Sequence, residues 1–566
     1  SEITTRFPED RCPVHVVVLN ITEKDFGDIM KAANNIYELV AYLRAKGIVH
    51  FIAHPLYDED EKITASHIEK MILLFEVFEV KNGARAMRYN RLTEDILASL
   101  TRDAIDTLSD KHNREAYGAM PWIKAMVGGS DDHSGSFLGN AYTVSPTGKT
   151  IEDFIASIQE KKTWAAGEDG DSLSLAHSLY GRGYRFYKDR FAAKVGSSRP
   201  FIKALLNRFF DENTEWISPI EKIKLFIIKN LPDVYDRYDN KTFEEILDKE
   251  TKRLLNHAHF LKGIEQEKKN RKIFAVTSYL ANRMMYIYAN KLIKTSDMNI
   301  INLTQSLSAL GLVHLLVSPY YVAFYHQHRN KTMLKELEER FLSAEKVKRP
   351  QKIALFTDTL HEINGVAITI KRLLKTAESQ GIELTVITST SEETSFKNGI
   401  MNFKSIGDIA LPEYPEMRLH FPPVLDVIDY IEREGFTDIH ASTPGSLGLL
   451  ALFAAKLMDI PIDATYHTDI PQYVKSLTND MFLENAAWNY MIWFYSQMDA
   501  VMVPSSSTRS QLIERGLPAQ KTKPLPRWVD TEIFSPQKRD PNIWKEYGLD
   551  RDIIKLLYVG RVSREK

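Results

Sequence analysis

The sequence predicts a multidomain α/β protein, and three observations predict it. Its 566 residues are too many for one hydrophobic core and suggest three domains. From Lys352 the chain reads KIALFTDTLHEINGVAITIKRLLKTAESQGIELTVITST: an apolar strand, a polar loop with Asn364-Gly365, a stretch of helical spacing, Gly381, and a second β-branched strand. That is a βαβ unit. Between roughly 190 and 348, Gly is sparse, Lys, Glu, Leu and Ile dominate, and helical spacing runs throughout. The expected divisions are 1–189, a helical insert at 190–348, an α/β domain at 349–545, and a short 546–566 that opens a further domain.

In the first division, His and carboxylate groups recur on apolar strands. Glu2 lies in SEITT, His15 in PVHVVVLNI, His54 in HFIAHPLYD, and Asp131 and His133 in GGSDDHSG. Such groups are costly on apolar strands unless something binds them, and a metal does so naturally. In this order they resemble the polymerase-and-histidinol-phosphatase (PHP) superfamily, whose fold is a distorted (β/α)7 barrel with a multinuclear site at its strand ends. The resemblance implies that Glu2 is a bridging carboxylate, His15 and His54 are imidazole ligands, and Asp131 and His133 are last-strand ligands. Divalent zinc, manganese or iron and a phosphomonoester substrate are implied with them. The family's opening H-x-H strand is not in this sequence, so barrel and metal site are both expected to be incomplete. Asn82, Gly83 and Asp132 read as wall or turn positions, and Trp122 and Lys124 in PWIK as packing residues.

In the middle division, PIEKIKLFIIKNL (219–231) and KTFEEILDKETKRLLNHAHFLKGIEQEKK (241–269) set apolar residues at helical spacing with charges opposite. LKELEERFLSAEKVKRPQK (334–352) reads as a helix leading into a linker at Pro350. SLSALGLVHLLVSPYYVAFYHQ (306–327) approaches the length of a membrane span, and Tyr320, Tyr321 and Tyr325 beside His328, Arg329 and Lys331 suit an interface. Ser306, Ser308, His314 and Ser318 dilute it and Pro319 interrupts it. Two packed helices or an interfacial hairpin are expected rather than a span, with peripheral membrane contact left open.

In the last divisions, Gly365 lets backbone approach a ligand at a helix N-terminus, where free N–H groups favour phosphate. DIHASTPGSLGLLALFAAKLMDIPIDATYHTDIPQYV (438–474), VMVPSSSTRSQLIERG (501–516), LPRWVDTEIFSP (525–536) and the closing YVGRVSREK (558–566) follow. Together these resemble family 4 retaining glycosyltransferases of the GT-B fold, over roughly 352–566. The resemblance implies a Rossmann-like N-terminal domain and a nucleotide-sugar donor, with Gly365 beside its phosphates and His467 near the sugar. Arg561 and Lys566 are implied as the pair that neutralises the leaving diphosphate. Fixed cations aimed at the charge that builds on a departing nucleotide stabilise the transition state more than the ground state. Asp469 reads equally as a base or as a cap before Ile470-Pro471. The family's second domain is not in the sequence, so the fragment is expected to be inactive in transfer and 545–566 to be poorly supported.

Bulk composition agrees with an enzyme. Basic residues number 73 and acidic 75, and no basic excess argues for nucleic acid. A single cysteine, Cys12, excludes a disulfide framework and a thiolate zinc site and fits a reducing, cytoplasmic compartment. The opening SEITTRFPED has no initiator Met, charged n-region or apolar h-region, so no signal peptide and no natural start are expected. The expectation is a fragment of a bifunctional enzyme: a metal-dependent phosphoesterase fused to a retaining glycosyltransferase acting on a glycolipid or glycan acceptor. Its rivals are a single-function transferase on a degenerate PHP scaffold and a non-catalytic, membrane-docked assembly module.

Overall fold

The computed structural model describes residues 1–191 except Glu59 and Thr147, then Ile202, 241–294, 300–343, 350–411 except Ile363, 414–525, 529, 531–540, 542–549, 554 and 556–558. Two compact units divide the chain, Ser1–Arg349 with Leu457–Asp459, and Pro350–Lys456 with Ile460–Lys566.

The first unit is built on an open five-stranded sheet, β1 (Glu2–Arg6), β2 (Pro13–Val18), β3 (His50–Ile52), β4 (Val77–Asn82) and β5 (Ala125–Gly129), in spatial order 1-2-3-4-5. The β1–β2 and β2–β3 pairs are antiparallel, and β3–β4 and β4–β5 are parallel. A separate antiparallel hairpin joins β6 (Ala141–Val144) to β7 (Trp164–Gly167). Alternation along β1 and β2 buries Ile3, Thr5, Val14, Val16 and Val18 on one face and turns Glu2 and His15 to the other. The buried face joins Leu39, Met71, Phe75 and Phe78 in one core.

Helices fill the rest of this unit. They begin earlier than the sequence suggests, since Ser172–Phe191 is already continuous helix. Segment 241–269 forms Phe243–Leu255 and Ala258–Gly263, separated at Asn256-His257; segment 219–231 lies outside the described residues. Helix Lys331–Phe341 returns to the sheet's own core through Met333, Leu334 and Leu337, so the insert shares a unit with the sheet. Cutting fully buried Leu337 to alanine would cost about 2–5 kcal/mol.

The apolar stretch corrects the sequence reading. Ile300–Gln327 is a single helix with Pro319 inside it, not two. Proline removes one N–H and crowds the carbonyl four residues back. Ser318 Oγ donates to Leu315 O, so the carbonyl left without an N–H by the proline keeps a partner, and Tyr180 OH donates to the next carbonyl, Leu316 O. Tyr320 is fully buried with its OH against His177 Nε2 at 2.8 Å, which removes it from any interfacial role. Among the described residues one helical stretch, Thr304–Phe341, is long and apolar enough to cross a membrane, with 33% of its most apolar window buried.

The second unit centres on an eight-stranded sheet in the order β10-β11-β9-β8-β14-β15-β16-β17. Its strands are β8 (Lys352–Phe356), β9 (Glu383–Thr390), β10 (Ser395–Lys397), β11 (Ile400–Lys404), β14 (Asp438–Ala441), β15 (Ile462–Thr465), β16 (Ala500–Val503) and β17 (Thr522–Pro524). All neighbours are parallel except the β10–β11 edge. A side hairpin pairs β12 (Gly407–Leu411) with β13 (Tyr414–Phe421). The predicted βαβ unit is β8, helix Gly365–Ser379 and β9. Because β9 and β14 flank β8 on opposite sides, strand order reverses there, and the carboxyl ends of β8 and β14 are the switch point at which open α/β sheets carry their ligand crevice.

Candidate functional site

Three of the five expected metal ligands come together. Glu2 Oε1 lies 2.8 Å from His15 Nδ1 and 3.6 Å from His54 Nε2, and the two imidazole nitrogens are 3.2 Å apart. Register explains the first pair: Thr4 opposes His15 and Glu2 opposes Val17, so Glu2 and His15 are diagonal neighbours on one face of the ladder. His54 follows β3 by two residues, fastened by Ala53 N donating to His15 O at 2.9 Å. Tetrahedral bonds of about 2.1 Å separate ligand atoms by about 3.4 Å, and the observed triangle brackets that spacing. A carboxylate with two imidazoles, His54 presenting Nε2 and His15 Nδ1, is a donor set that suits zinc, manganese or iron. The residues fit a divalent ion.

The other two stand apart from that triangle. Asp131 Oδ2 accepts from Arg85 Nη2 at 3.1 Å and from Asn82 Nδ2 at 3.3 Å, in the wall beside it. His133 is exposed, with Nδ1 3.6 Å from Asp131 Oδ1. Both His54 (φ 28°) and Asp131 (φ 46°) hold backbone conformations rare outside glycine. Electrostatics follows contact. Hydrogen bonds from His15, then His54, hold the Glu2 carboxyl well below the usual range, and its bond to Glu2 raises His15. Burial lowers His54.

Two residues not singled out in the sequence complete the wall. Glu79, buried in β4, accepts from His54 N at 2.8 Å and Asn82 Nδ2 at 2.9 Å, and burial pushes its carboxyl up to about 7. A lone Glu between Phe78 and Val80 in a strand buried on both faces was its available signal. Arg85 stacks 3.7 Å over the Tyr57 ring, and with His15, His54, Tyr57 and Asp58 it lines a cleft. Asn82 and Asp132 serve loop and wall as expected, Asp132 accepting from Ser134 N and Phe137 N at 2.8 Å each. Lys124 is a packing residue, its Nζ donating to Ile72 O at 2.6 Å and Phe75 O at 2.8 Å.

In the second unit, Gly365 is the first residue of its helix, and Asn364 Oδ1 caps it by accepting from Ala367 N at 2.8 Å. His467 sits half-buried two residues past β15. Asp469 is the N-cap of helix Ile470–Thr478, accepting from Gln472 N at 3.3 Å, which is the cap reading of that residue. Arg561 and Lys566 lie outside the described residues, as does most of 546–566. Asp358, which sequence reasoning missed, ties the two loops of the crevice together. Its carboxylate accepts from Thr443 Oγ1 at 2.6 Å and from Ser446 Oγ and Leu447 N at 3.0 Å each. A Cβ on Gly445 would fall 2.4 Å from Asp358 Oδ2, so a side chain there would displace the carboxylate from its partners.

Residues 363–533 match the glycosyltransferase family 4 model and residues 110–163 the PHP-associated model. The alpha-monoglucosyldiacylglycerol synthase of Streptococcus pneumoniae is 26% identical over 38% of this chain and 50% of its own length. A GDP-mannose-dependent alpha-mannosyltransferase of Mycobacterium tuberculosis is 30% identical over 23% of this chain and 33% of its own. A solved structure of Anabaena HepE in complex with UDP-glucose aligns at 16% identity and a TM-score of 0.23, over 33% of this chain and 47% of that one. The chain spans about half the length of the first curated relatives it matches.

Proposed function

We propose that the second unit is the N-terminal half of a retaining glycosyltransferase of the GT-B fold that takes a nucleotide-sugar and delivers the sugar to a glycolipid or glycan. The observation that carries this is the position of Gly365 and His467, which follow the carboxyl ends of β8 and β15 within the segment that matches glycosyltransferase family 4. The N–H groups at the start of helix Gly365–Ser379 suit a diphosphate, and His467 faces the sugar. Arg561 and Lys566 neutralise the leaving diphosphate. The mycobacterial relative's dependence on GDP-mannose and the streptococcal relative's glycolipid product support the donor and acceptor classes. The test is nucleotide release by the full-length protein offered a panel of UDP- and GDP-sugars. His467→Ala should lower kcat more than it raises KM, and Arg561→Ala should lower turnover about a hundredfold. Unchanged rates in both variants would remove the assignment.

A second reading rests on its own observation, the convergence of Glu2, His15 and His54. The first unit is part of a PHP-type barrel in which these residues hold a divalent ion, and the protein is bifunctional. A divalent ion held by these residues would supply the Lewis acidity that activates a water and offsets phosphate charge. Glu2 supplies the anionic ligand, His15 and His54 the neutral ones, and Arg85 a cation on the cleft wall. Cytoplasmic residence, with peripheral lipid contact through the outward face of helix Ile300–Gln327, suits a glycolipid acceptor; Leu307, Leu312, Leu315 and Leu316 are exposed on it. Elemental analysis after metal-replete purification should find a divalent ion that His15→Ala and His54→Ala lose, whereas metal-free wild type would make this unit a scaffold.

A further inference from the structure

The helical insert reaches the wall of the Glu2–His15–His54 cluster through the end of one helix. Gln327, the last residue of helix Ile300–Gln327, is only 1% exposed although it is polar. Its Oε1 accepts from Ala86 N at 2.8 Å, and its Nε2 donates to Ala84 O at 2.8 Å and Asp171 O at 3.4 Å. These bonds bracket Arg85, the residue that both pairs with Asp131 and stacks on Tyr57. The same helix end holds Tyr57 from the other side, its OH 3.0 Å from His326 Nδ1. The loop is fixed from outside as well, by Gly170 N donating to Arg85 O at 2.8 Å; a Cβ on Gly170 would meet Ala84 C at 2.4 Å.

Each of these contacts bridges distant parts of the sequence. A loop of four residues carrying a partly buried arginine has little geometry of its own. A buried amide that satisfies both a carbonyl and an N–H of such a loop sets where its middle residue points, because breaking either bond strands a buried backbone group. We propose that Gln327 is a positioning residue through which the helical insert sets the metal affinity of the Glu2–His15–His54 cluster, acting by way of Arg85, Asp131 and Tyr57. This rests on the metal-binding reading of the cluster. It goes beyond that reading by making the insert a determinant of the site rather than an appendage.

The experiment titrates Mn2+ into metal-stripped full-length protein, followed by calorimetry and by the Mn2+ paramagnetic resonance signal, for wild type, Gln327→Leu, Gln327→Glu and Arg340→Ala. Gln327→Leu should weaken Mn2+ about tenfold or more, the scale of lost outer-shell support. Gln327→Glu, which keeps the acceptor for Ala86 N and loses the donor, should fall between it and wild type. Arg340→Ala breaks a tie to buried Glu69 in the same unit and should lower stability while leaving Mn2+ affinity unchanged. Equal affinity in wild type and both Gln327 variants overturns the inference while leaving the metal reading intact. Affinity that falls as much in Arg340→Ala as in Gln327→Leu overturns it too, since the effect would be general destabilisation. If Gln327→Leu fails to fold, Gln327→Glu alone decides. If wild type takes up no Mn2+, the metal reading itself fails and the inference with it.

Discussion

Replacing Asp358 by alanine tests whether the crevice at the carboxyl ends of β8 and β14 is built as described. The carboxylate accepts three hydrogen bonds, from Thr443 Oγ1, Ser446 Oγ and Leu447 N, the last two at the start of helix Ser446–Leu457. A hydrogen bond to a charged group contributes about 1.5–3 kcal/mol, and the helix dipole adds about 0.5 kcal/mol for an anion in this position. The three bonds share one carboxylate, so they do not add fully, and about 3 kcal/mol is the expected loss. Asp358→Asn keeps an acceptor for Ser446 and Leu447 and should lose about 1 kcal/mol. Hydrogen exchange followed by mass spectrometry on the peptide spanning 443–457 reads this locally, and 3 kcal/mol corresponds to about a hundredfold faster exchange of protected amides. Exchange within twofold of wild type in Asp358→Ala would show that the two loops hold their places without the carboxylate.

Three further outcomes are expected. Burial pulls the Lys124 ammonium from its ordinary 10.5 down to about 7, so the native state binds fewer protons than the unfolded chain between those values and stability rises with pH across that window. From pH 7 to 8.5 this group should add about 1.5 kcal/mol, and in urea titrations the stability gap between wild type and Lys124→Met should change by that amount; a gap independent of pH would count against it. Glu69, buried, accepts from Lys111 Nζ at 2.8 Å, His112 Nε2 at 2.7 Å and Arg340 Nη1 at 2.7 Å, tying helix Lys331–Phe341 to the sheet's helices. Because Lys111 and Arg340 stay partly solvated, Glu69→Ala should cost about 2 kcal/mol, and a denaturation midpoint shifted by less than about 0.5 kcal/mol would contradict this. Gly445→Ala should disturb the same crevice as Asp358→Ala, seen as faster exchange of Leu447.

What the sequence disclosed follows from the range of the interactions involved. Glu2 and His15 were legible because alternation along two strands announces a polar residue on an apolar ladder, and His54 because it closes a third such strand. Gly365 and its helix were legible because the βαβ pattern is local. Asp469 stayed ambiguous until its bond to Gln472 N identified it as a cap. Pro319 misled because the rule that proline ends a helix takes no account of a neighbouring hydroxyl, that of Ser318, donating to Leu315 O, the carbonyl the proline leaves without its N–H. Tyr320 misled because what buries it is distant in sequence: His177 at its OH, and the rings of Tyr180 and Phe274. Gln327, Arg85 and Asp358 were unreadable because their meaning is the partner, and the hydrogen-bond partners Ala84, Asp131 and Thr443 lie 243, 46 and 85 residues distant in sequence.

Three candidate residues share a position that explains why the surrounding structure must be so closely tied. His54 stands two residues past β3, Asp131 two past β5 and His467 two past β15, where pleating ends and a side chain can turn off the sheet. At His54 and Asp131 that turn uses positive φ, which costs about 1–3 kcal/mol at a residue that is not glycine. Strain of that size persists only where neighbouring contacts over-determine it. His54 has Glu79 on its backbone N–H, and Asp131 has Arg85 and Asn82 on its carboxylate. Arg85 in turn is held by a loop whose buried backbone groups are satisfied by Gln327. The chain of support therefore runs from the helical insert inward to the strained residue beside the cluster, and loosening its outer end should be felt as weaker ligand binding before it is felt as unfolding.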